Sequence, residues 1–434
     1  MKRYFAATFA SLRIRNYRLY FIGQSISWSG TWMQKLAQAW LVLELTNSGA
    51  WLGTTLALQQ LPTLLLAPWG GVLADRFNKR TIMIWTAAAA MVPAALLGVL
   101  TLAGNTNIYV VMCLALVGGF VDAFDKPARQ SFPSDMVDSA HLTNAVMLNS
   151  VVQNSGRVIG PAIGGFLVDA VGLAPTFFIN AASFVTVIVG LLMMRTGELA
   201  APTPLVRSTG QLRAGLAYVR ANPALLGPLV LLGCAGMVAL NFQVLLALLG
   251  RETFNGDART VGMLLGALGA GSVIGGLALA GVLKASVGRI IGSAVVLGAL
   301  FIVTGLSPNV TSAVGAVFVL GACSVVYKSL TSTWLQLTAA PEMRGRVLAL
   351  LVVAMGGTTP IGAPIIGWLA EHAGARLTFV IAGASTALAA LVTYGYARRR
   401  SGKTQALRAD GAAPGETSTD PADFSETSAS AHRG

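Results

Sequence analysis

Long apolar runs separated by short polar turns dominate the chain. Twelve such runs can be marked, with cores at 19–43, 51–74, 81–103, 108–124, 146–171, 175–194, 224–249, 261–283, 290–306, 313–337, 347–370 and 377–397. At about 1.5 Å of rise per helical residue, each is long enough to cross or nearly cross a hydrocarbon layer of about 30 Å. The pattern predicts an all-α integral membrane protein of twelve transmembrane helices. One interval of comparable length, 195–223, is too polar to span. It carries Pro202 and Pro204 and then 211–220, a short amphipathic stretch suited to a membrane surface. The interval divides the chain into a cytoplasmic segment 1–18, a six-helix bundle 19–194, the linker 195–223, a second six-helix bundle 224–397, and a tail 398–434. The tail is rich in Ser, Thr, Ala, Asp and Gly and is expected to be disordered.

Composition agrees with this division. Over 434 residues, 54% are hydrophobic and 11% charged, against roughly 25% charged in ordinary soluble domains. The net charge of +13 would suggest a nucleic-acid partner in a soluble protein. Here the cations gather in alternate loops: Lys2, Arg3, Arg13, Arg15 and Arg18 at the start, then Arg76, Lys79 and Arg80, Lys126 and Arg129, the linker with Arg195, Arg207, Arg213 and Arg220, Lys284 and Arg289, Arg344 and Arg346, and the tail from Arg398. The opposite loops hold only Arg251, Arg259 and Arg376. Cytoplasmic loops carry the excess of Lys and Arg, so a multi-pass cell-membrane protein with both termini cytoplasmic is expected, with no nucleic-acid partner. Cys113, Cys234 and Cys323 stand singly inside apolar runs and read as packing residues. No phosphate-binding Gly-rich loop, metal cluster or nucleophile triad is suggested by spacing, so no cofactor and no enzymatic activity are expected.

Two motifs sharpen the reading. Gly71-Val72-Leu73-Ala74-Asp75-Arg76-Phe77-Asn78-Lys79-Arg80 is a charged island between the second and third runs. It resembles the signature loop of the major facilitator superfamily, with Asn78 where that pattern has Gly; Asn tolerates the left-handed turn best among the other residues. The second half repeats it in part as Gly281-Val282-Leu283-Lys284-Ala285-Ser286-Val287-Gly288-Arg289, without the Asp, and Pro133 before the fifth run is echoed by Pro341 before the eleventh. Gly156-Arg157-Val158-Ile159-Gly160-Pro161-Ala162-Ile163-Gly164-Gly165 lies in the fifth run and is similar to the motif of the superfamily's proton-coupled antiporters, except that Met147 replaces an upstream Gly. Small residues four apart equally suit close helix packing.

Further matches extend the resemblance from about 12 to 400: Asn16-Tyr17-Arg18, Gly30-Thr31-Trp32-Met33, Trp40 through Glu44 to Thr46, Phe124 through Pro127 and Arg129 to Gln130, and Asn149 through Asn154 to Arg157. Together they resemble the transmembrane secretion effector branch, a drug:proton antiporter group that includes an enterobactin exporter.

This resemblance implies two pseudo-symmetric six-helix bundles, alternating access, and proton-coupled efflux of small amphipathic molecules, multidrug or siderophore-like, by a protein working as a monomer in the bilayer. Import, lipid flipping by the same fold, or a membrane-embedded sensor are the alternatives. It also implies that Asp75 caps a helix of the opposite half and pairs with a cation such as Arg129, with Gly71, Arg76, Lys79 and Arg80 completing a cytoplasmic gate. The first, fourth, seventh and tenth helices would line the cavity.

Charges inside spans are costly and mark functional positions. Lys35, Asp122, Arg157 and Lys328 are such charges. By the resemblance Lys35, Asp122 and Lys328 would surround the cavity, with Gln34, Gln38, Gln153, Asn241 and Tyr327 as further candidates and Asp122 facing Lys328 across the pathway. Asp122 is the expected proton carrier and Asp125 the second choice, Asp125 being better suited to a structural pair with Arg129 or Arg157. Gln59, Gln60, Asn154, Gln243 and Gln336 could also line the pathway; Trp28, Trp32 and Trp334 are open between cavity and interface, and Trp40 reads as interfacial. Lys35 and Lys328 favour an anionic or catechol-bearing substrate, whereas Asp122 and the apolar lining keep drugs in play.

Overall fold

The computed structural model describes residues 9–199, 211–279 and 284–410. Expectations for Lys2, Arg3, Pro202, Pro204, Arg207, the segment 281–283 and residues 411–434 lie outside the described residues. Within them the protein is helical, with no strand. Each of the twelve apolar runs falls on a helix: α1 Arg15–Thr46, α2 Gly49–Arg76, α3 Lys79–Leu102, α4 Ile108–Ser131, α5 Ser139–Val171, α6 Leu173–Leu192, α7 Pro223–Thr253, α8 Ala258–Leu279, α9 Val287–Gly305, α10 Val310–Thr338, α11 Arg344–Ala373 and α12 Ala375–Asp410. Among the described residues nine helices are long and apolar enough to span a membrane, and a tenth if α2 is counted whole. The two left over, α1 and α5, are 32 and 33 residues long and more polar. A short helix, Gln211–Ala221, follows in the linker. The last helix continues to Asp410 and so runs past 397, where the tail was expected to begin.

The breaks in the helices have local causes. Helix α2 bends by 57° between Gly49–Ala67 and Trp69–Arg76. Helix α11 is interrupted at Gly357–Thr358, between Arg344–Gly356 and Thr359–Ala373, because Pro360 has no N–H to donate to the Gly356 carbonyl. Helix α7 opens between Pro223–Val238 and Phe242–Leu248, where the Asn241 side-chain amide donates to the carbonyls of Gly236 (3.2 Å) and Met237 (2.9 Å) and so competes with the helical ladder. Sequence periodicity predicts α7 and α11 as continuous spans. The structure divides both beside a cavity, lined by Leu240 and Asn241 in the α7 break and by Met355 and Thr359 on either side of the α11 break.

Close approach between helices rests on small residues. Gly156, Gly160 and Gly164 form one stripe of α5 against Trp28, Ser29, Trp32 and Met33 of α1; a Cβ on Gly160 would lie 2.6 Å from both the Ser29 carbonyl and the Trp32 Cβ. One residue round the helix, Pro161 and Gly165 meet α8, where Gly262 and the Ala258 carbonyl leave no room for a side chain. Helix α2 is bound in the same way to α11 through Gly49 against Gly367 and Gly53 against Ala363. These contacts join the first six helices to the last six at the end of the bundle that carries Asn47 and Gly374. A polar contact reinforces that end: Ser48 Oγ donates to a Glu371 carboxylate oxygen (2.5 Å), which also accepts from Ala50 N–H (3.3 Å).

Candidate functional site

A cavity of about 350 Å³ lies where α1, α2, α5, α7, α8, α10 and α11 converge, so both groups of six helices line it. Three of its wall residues are cations, Lys35, Arg157 and Lys328, and among the described residues no Asp or Glu contributes to the wall. None of the three makes an ion pair among the described residues. Aromatic faces hold them instead. Lys35 Nζ lies 4.5 Å from the centroid of a Trp32 ring, and the Arg157 guanidinium lies 5.4 Å from a Trp32 ring. Lys328 Nζ is 5.7 Å from the Phe242 centroid, and Phe242 is itself stacked on Phe301 (5.7 Å between centroids). Such contacts orient a cation but leave its charge uncompensated. The amides of Gln59, Gln60, Asn154, Asn241 and Gln243 complete the polar lining. The buried Trp32 Nε1 has no hydrogen-bond acceptor.

Lys35 also reaches a second, smaller pocket of about 70 Å³ that contains Asp122, Asp125, Lys126, Arg129 and Trp28, all from the first six helices. Asp122 is paired with Lys126 at 2.9 Å. Asp125 accepts from Thr86 Oγ1 (2.8 Å) and faces Arg129 at 3.2 Å, and that guanidinium stacks over Trp28 at 4.5 Å. Two expectations need correction. Asp122 lies in this pocket and not on the cavity wall, and its partner is Lys126 and not Lys328. The reason is the direction in which α4 presents Asp122, into a pocket lined by Lys35 and Trp28 of α1, Thr86 of α3 and Phe184 of α6.

The other candidates divide as follows. Lys35, Asn241, Lys328, Gln59, Gln60, Asn154, Gln243 and Trp32 line the cavity. Gln34 instead accepts from Asn180 Nδ2 (2.5 Å), Gln38 and Tyr327 are buried in the helix packing, Gln153 is outside the wall, and Gln336 bonds Ser332. Trp40 Nε1 donates to Glu44 and Trp334 Nε1 to the Ala224 carbonyl. Arg157, read in the sequence as a charge inside a span and as part of the antiporter-like motif, is a wall residue, as are Ser272, Ser324 and Thr359, which carried no signal of their own.

At the charged island, Gly70 packs against α4 at Ala123, Lys79 pairs with Asp135 at 2.7 Å, and Arg80 Nε donates to the Leu191 carbonyl at the end of α6 (2.6 Å). The cations of the island therefore brace the first six helices to one another. Arg129, the cation expected opposite Asp75, is engaged with Asp125. Asn78 caps α3, its side chain accepting from the N–H groups of Arg80 and Thr81.

Comparison with known proteins agrees with this architecture. The staphyloferrin A transporter of Staphylococcus aureus is 24% identical over 388 residues, covering 87% of this chain and 95% of that protein. The multidrug efflux pump Tap of Mycolicibacterium fortuitum is 25% identical over 366 residues, 81% of this chain and 88% of Tap, and macrolide efflux protein A of Streptococcus pyogenes is 24% identical over 83% of this chain and 91% of that protein. Among solved structures, a bacterial homologue of the iron transporter ferroportin in an inward-facing state superposes with a TM-score of 0.69 at 17% identity, over 89% of this chain and 98% of that one. A bacterial homologue of the lysosomal transporter Spinster, inward-facing and unoccupied, gives 0.68 at 14% identity over 88% and 97%. The family description "Transmembrane secretion effector" matches residues 6–416, and the chain belongs to that family of major facilitator transporters.

Proposed function

We propose that the protein is a proton-coupled exporter of small amphipathic molecules, drug or siderophore-like, that spans the cell membrane twelve times with both termini cytoplasmic and works by alternating access as a monomer. The observation that carries this reading is the position of the cavity: both groups of six helices line it, beside the interruptions of α7 and α11. Sites of this kind lie near the bilayer midplane between the two bundles of a rocking transporter. The relatives that handle macrolides, multiple drugs and staphyloferrin A support small-molecule traffic. With the basic loops cytoplasmic, the end closed by Gly49, Gly367 and the Ser48–Glu371 contact faces outward, and the state described here is inward-facing.

In this mechanism Asp122 carries the proton. While ionised it holds Lys126 and adds a negative charge to the pocket that Lys35 shares with the cavity. Protonation removes the ion pair and that negative charge, so occupancy of the cavity and protonation of Asp122 both act on Lys35. Asp125, held by Thr86 and Arg129, keeps a structural role. Asp75, Arg76, Lys79, Arg80 and Arg129 form the cytoplasmic gate in the outward-facing state. The test is transport into inside-out vesicles under an imposed pH gradient. Native protein should accumulate substrate and Asp122→Asn should lose gradient dependence while remaining folded; full gradient-driven transport by the variant would refute the assignment.

A further inference from the structure

The cavity wall is rich in donors and poor in acceptors of negative charge. Lys35 and Arg157 meet the faces of Trp32 on one side, Lys328 meets the face of Phe242 on the other, and among the described residues none of the three forms an ion pair with a carboxylate, although Asp122 shares the adjoining pocket with Lys35. An uncompensated cation away from bulk water is expensive, and the usual remedy is a paired carboxylate. The carboxylates nearest to this site, Asp122 and Asp125, are committed to Lys126 and Arg129 in the adjoining pocket. The Trp32 indole N–H, buried without an acceptor beside two of the cations, adds a fourth unanswered donor. A lipophilic cation would meet three like charges here, which is an arrangement that rejects it.

The placement also divides the positive charge between the two halves of the molecule. Lys35 on α1 and Arg157 on α5 share one aromatic platform, which Gly160 makes possible by letting the Trp32 side chain lie against α5. Lys328 on α10 stands on Phe242, a platform of the second six helices backed by Phe301, which in turn meets Phe379. Leu56, Leu240, Leu265 and Val325 supply an apolar part of the same wall.

We propose that the cavity accepts a small organic dianion with an apolar or aromatic body, one oxygen anion engaging Lys35 and Arg157 and the other engaging Lys328. This rests on the reading of the cavity as the substrate site and narrows it to a charge class. Arg157 becomes the principal specificity residue, since its guanidinium can grip a carboxylate through two parallel hydrogen bonds. A dianion bridging the halves would also draw them together, which is what a rocking transporter requires of its substrate.

The experiment compares two tricyclic dyes of similar size, dianionic fluorescein and cationic rhodamine 123. Each is tested for binding to the detergent-purified full chain by fluorescence anisotropy and for movement in proteoliposomes under a pH gradient. Native protein should bind fluorescein at least about ten-fold more tightly than rhodamine 123, and Arg157→Gln and Lys328→Gln should each weaken fluorescein binding about ten-fold or more. The Gly118→Ala variant, at a position outside the wall with nothing within 4 Å and checked for the same elution volume, controls for the fold and should leave the binding of both dyes unchanged. Equal or tighter binding of rhodamine 123, no binding of fluorescein by folded protein, or sensitivity to only one of the two cations would overturn the two-ended anion. Binding of fluorescein with the expected losses but no movement of either dye would leave the charge class standing and remove the transport reading instead.

Discussion

The contact between Glu371 and the start of α2 should bias the equilibrium between inward- and outward-facing states. Ser48 is the N-cap of α2: its hydroxyl oxygen accepts from Trp51 N–H (3.4 Å) while its O–H donates to Glu371, and Glu371 also takes the free N–H of Ala50. A carboxylate from the last turn of α11 thus satisfies donors at a helix start in the other half. Removing a capping side chain costs about 0.5–2 kcal/mol, and an anion at a helix N-terminus contributes about 0.3–1 kcal/mol. Because Glu371 is solvent-exposed, the lower part of these ranges applies, about 1 kcal/mol. That corresponds to about a five-fold change in the ratio of the two states. The perturbation is Glu371→Ala, alone and combined with Ser48→Ala. Spin labels at Asn105 and Pro308, in the loops after α3 and α9, would report the separation of the two halves at this end by double electron–electron resonance, in a background with Cys113, Cys234 and Cys323 replaced. We expect the long-distance population to rise about five-fold relative to the short one in Glu371→Ala, and little more in the double variant, because the two residues act through one contact. An unchanged distribution, or fully additive effects, would refute the latch.

Two further outcomes follow from the packing and the caps. Gly160→Leu should drive Trp32 and Ser29 off α5 at a cost of about 1–3 kcal/mol, lowering thermal stability in detergent and abolishing binding, whereas Gly118→Ala, where nothing lies within 4 Å, should leave both unchanged; equal effects would remove the role assigned to the α5 stripe. At the start of α8, partial burial raises the Asp257 carboxyl, but the Thr260 N–H and O–H bonds (2.8 and 2.9 Å) more than offset this and hold it below the ordinary carboxylate value. The cap is therefore fully present above about pH 4 and is lost as the pH falls through the depressed value, so Asp257→Ala should destabilise by about 1 kcal/mol at neutral pH, with the difference from native shrinking in acid. A pH-independent difference in melting temperature would contradict it.

How much of this the chain discloses in advance depends on which property is asked of it. Membrane helices are legible because an apolar run of sufficient length has few alternatives in lipid, and each of the twelve runs falls on a helix. Breaks within a span are less legible. The interruption of α11 has a visible cause in Gly357 and Pro360, but that of α7 depends on Asn241 turning its amide back onto Gly236 and Met237 while Gly362 presses close, and the second part is tertiary. The pairing of Asp122 was misjudged because correspondence between halves fixes depth along the axis but not direction around a helix. Lys126, four residues on and therefore one turn away, was the nearer competitor.

Arg157 shows what angular information was present and unused. In α5 the residues four apart, Gly156, Gly160 and Gly164, form the stripe that accepts the side chains of α1. Advancing by one residue turns the helix by roughly 100°, so the parallel stripe Arg157, Pro161 and Gly165 must face a different neighbour. In the structure that neighbour is the other half of the molecule: Gly165 and the Pro161 carbonyl lie against Gly262, and Arg157, one turn back, faces the cavity where the two halves part. One ten-residue motif therefore sets both the fit of α5 against α1 and the charge of the cavity. Substitutions at its glycines should act first on stability and the position of Trp32, while those at Arg157 should act on substrate charge alone.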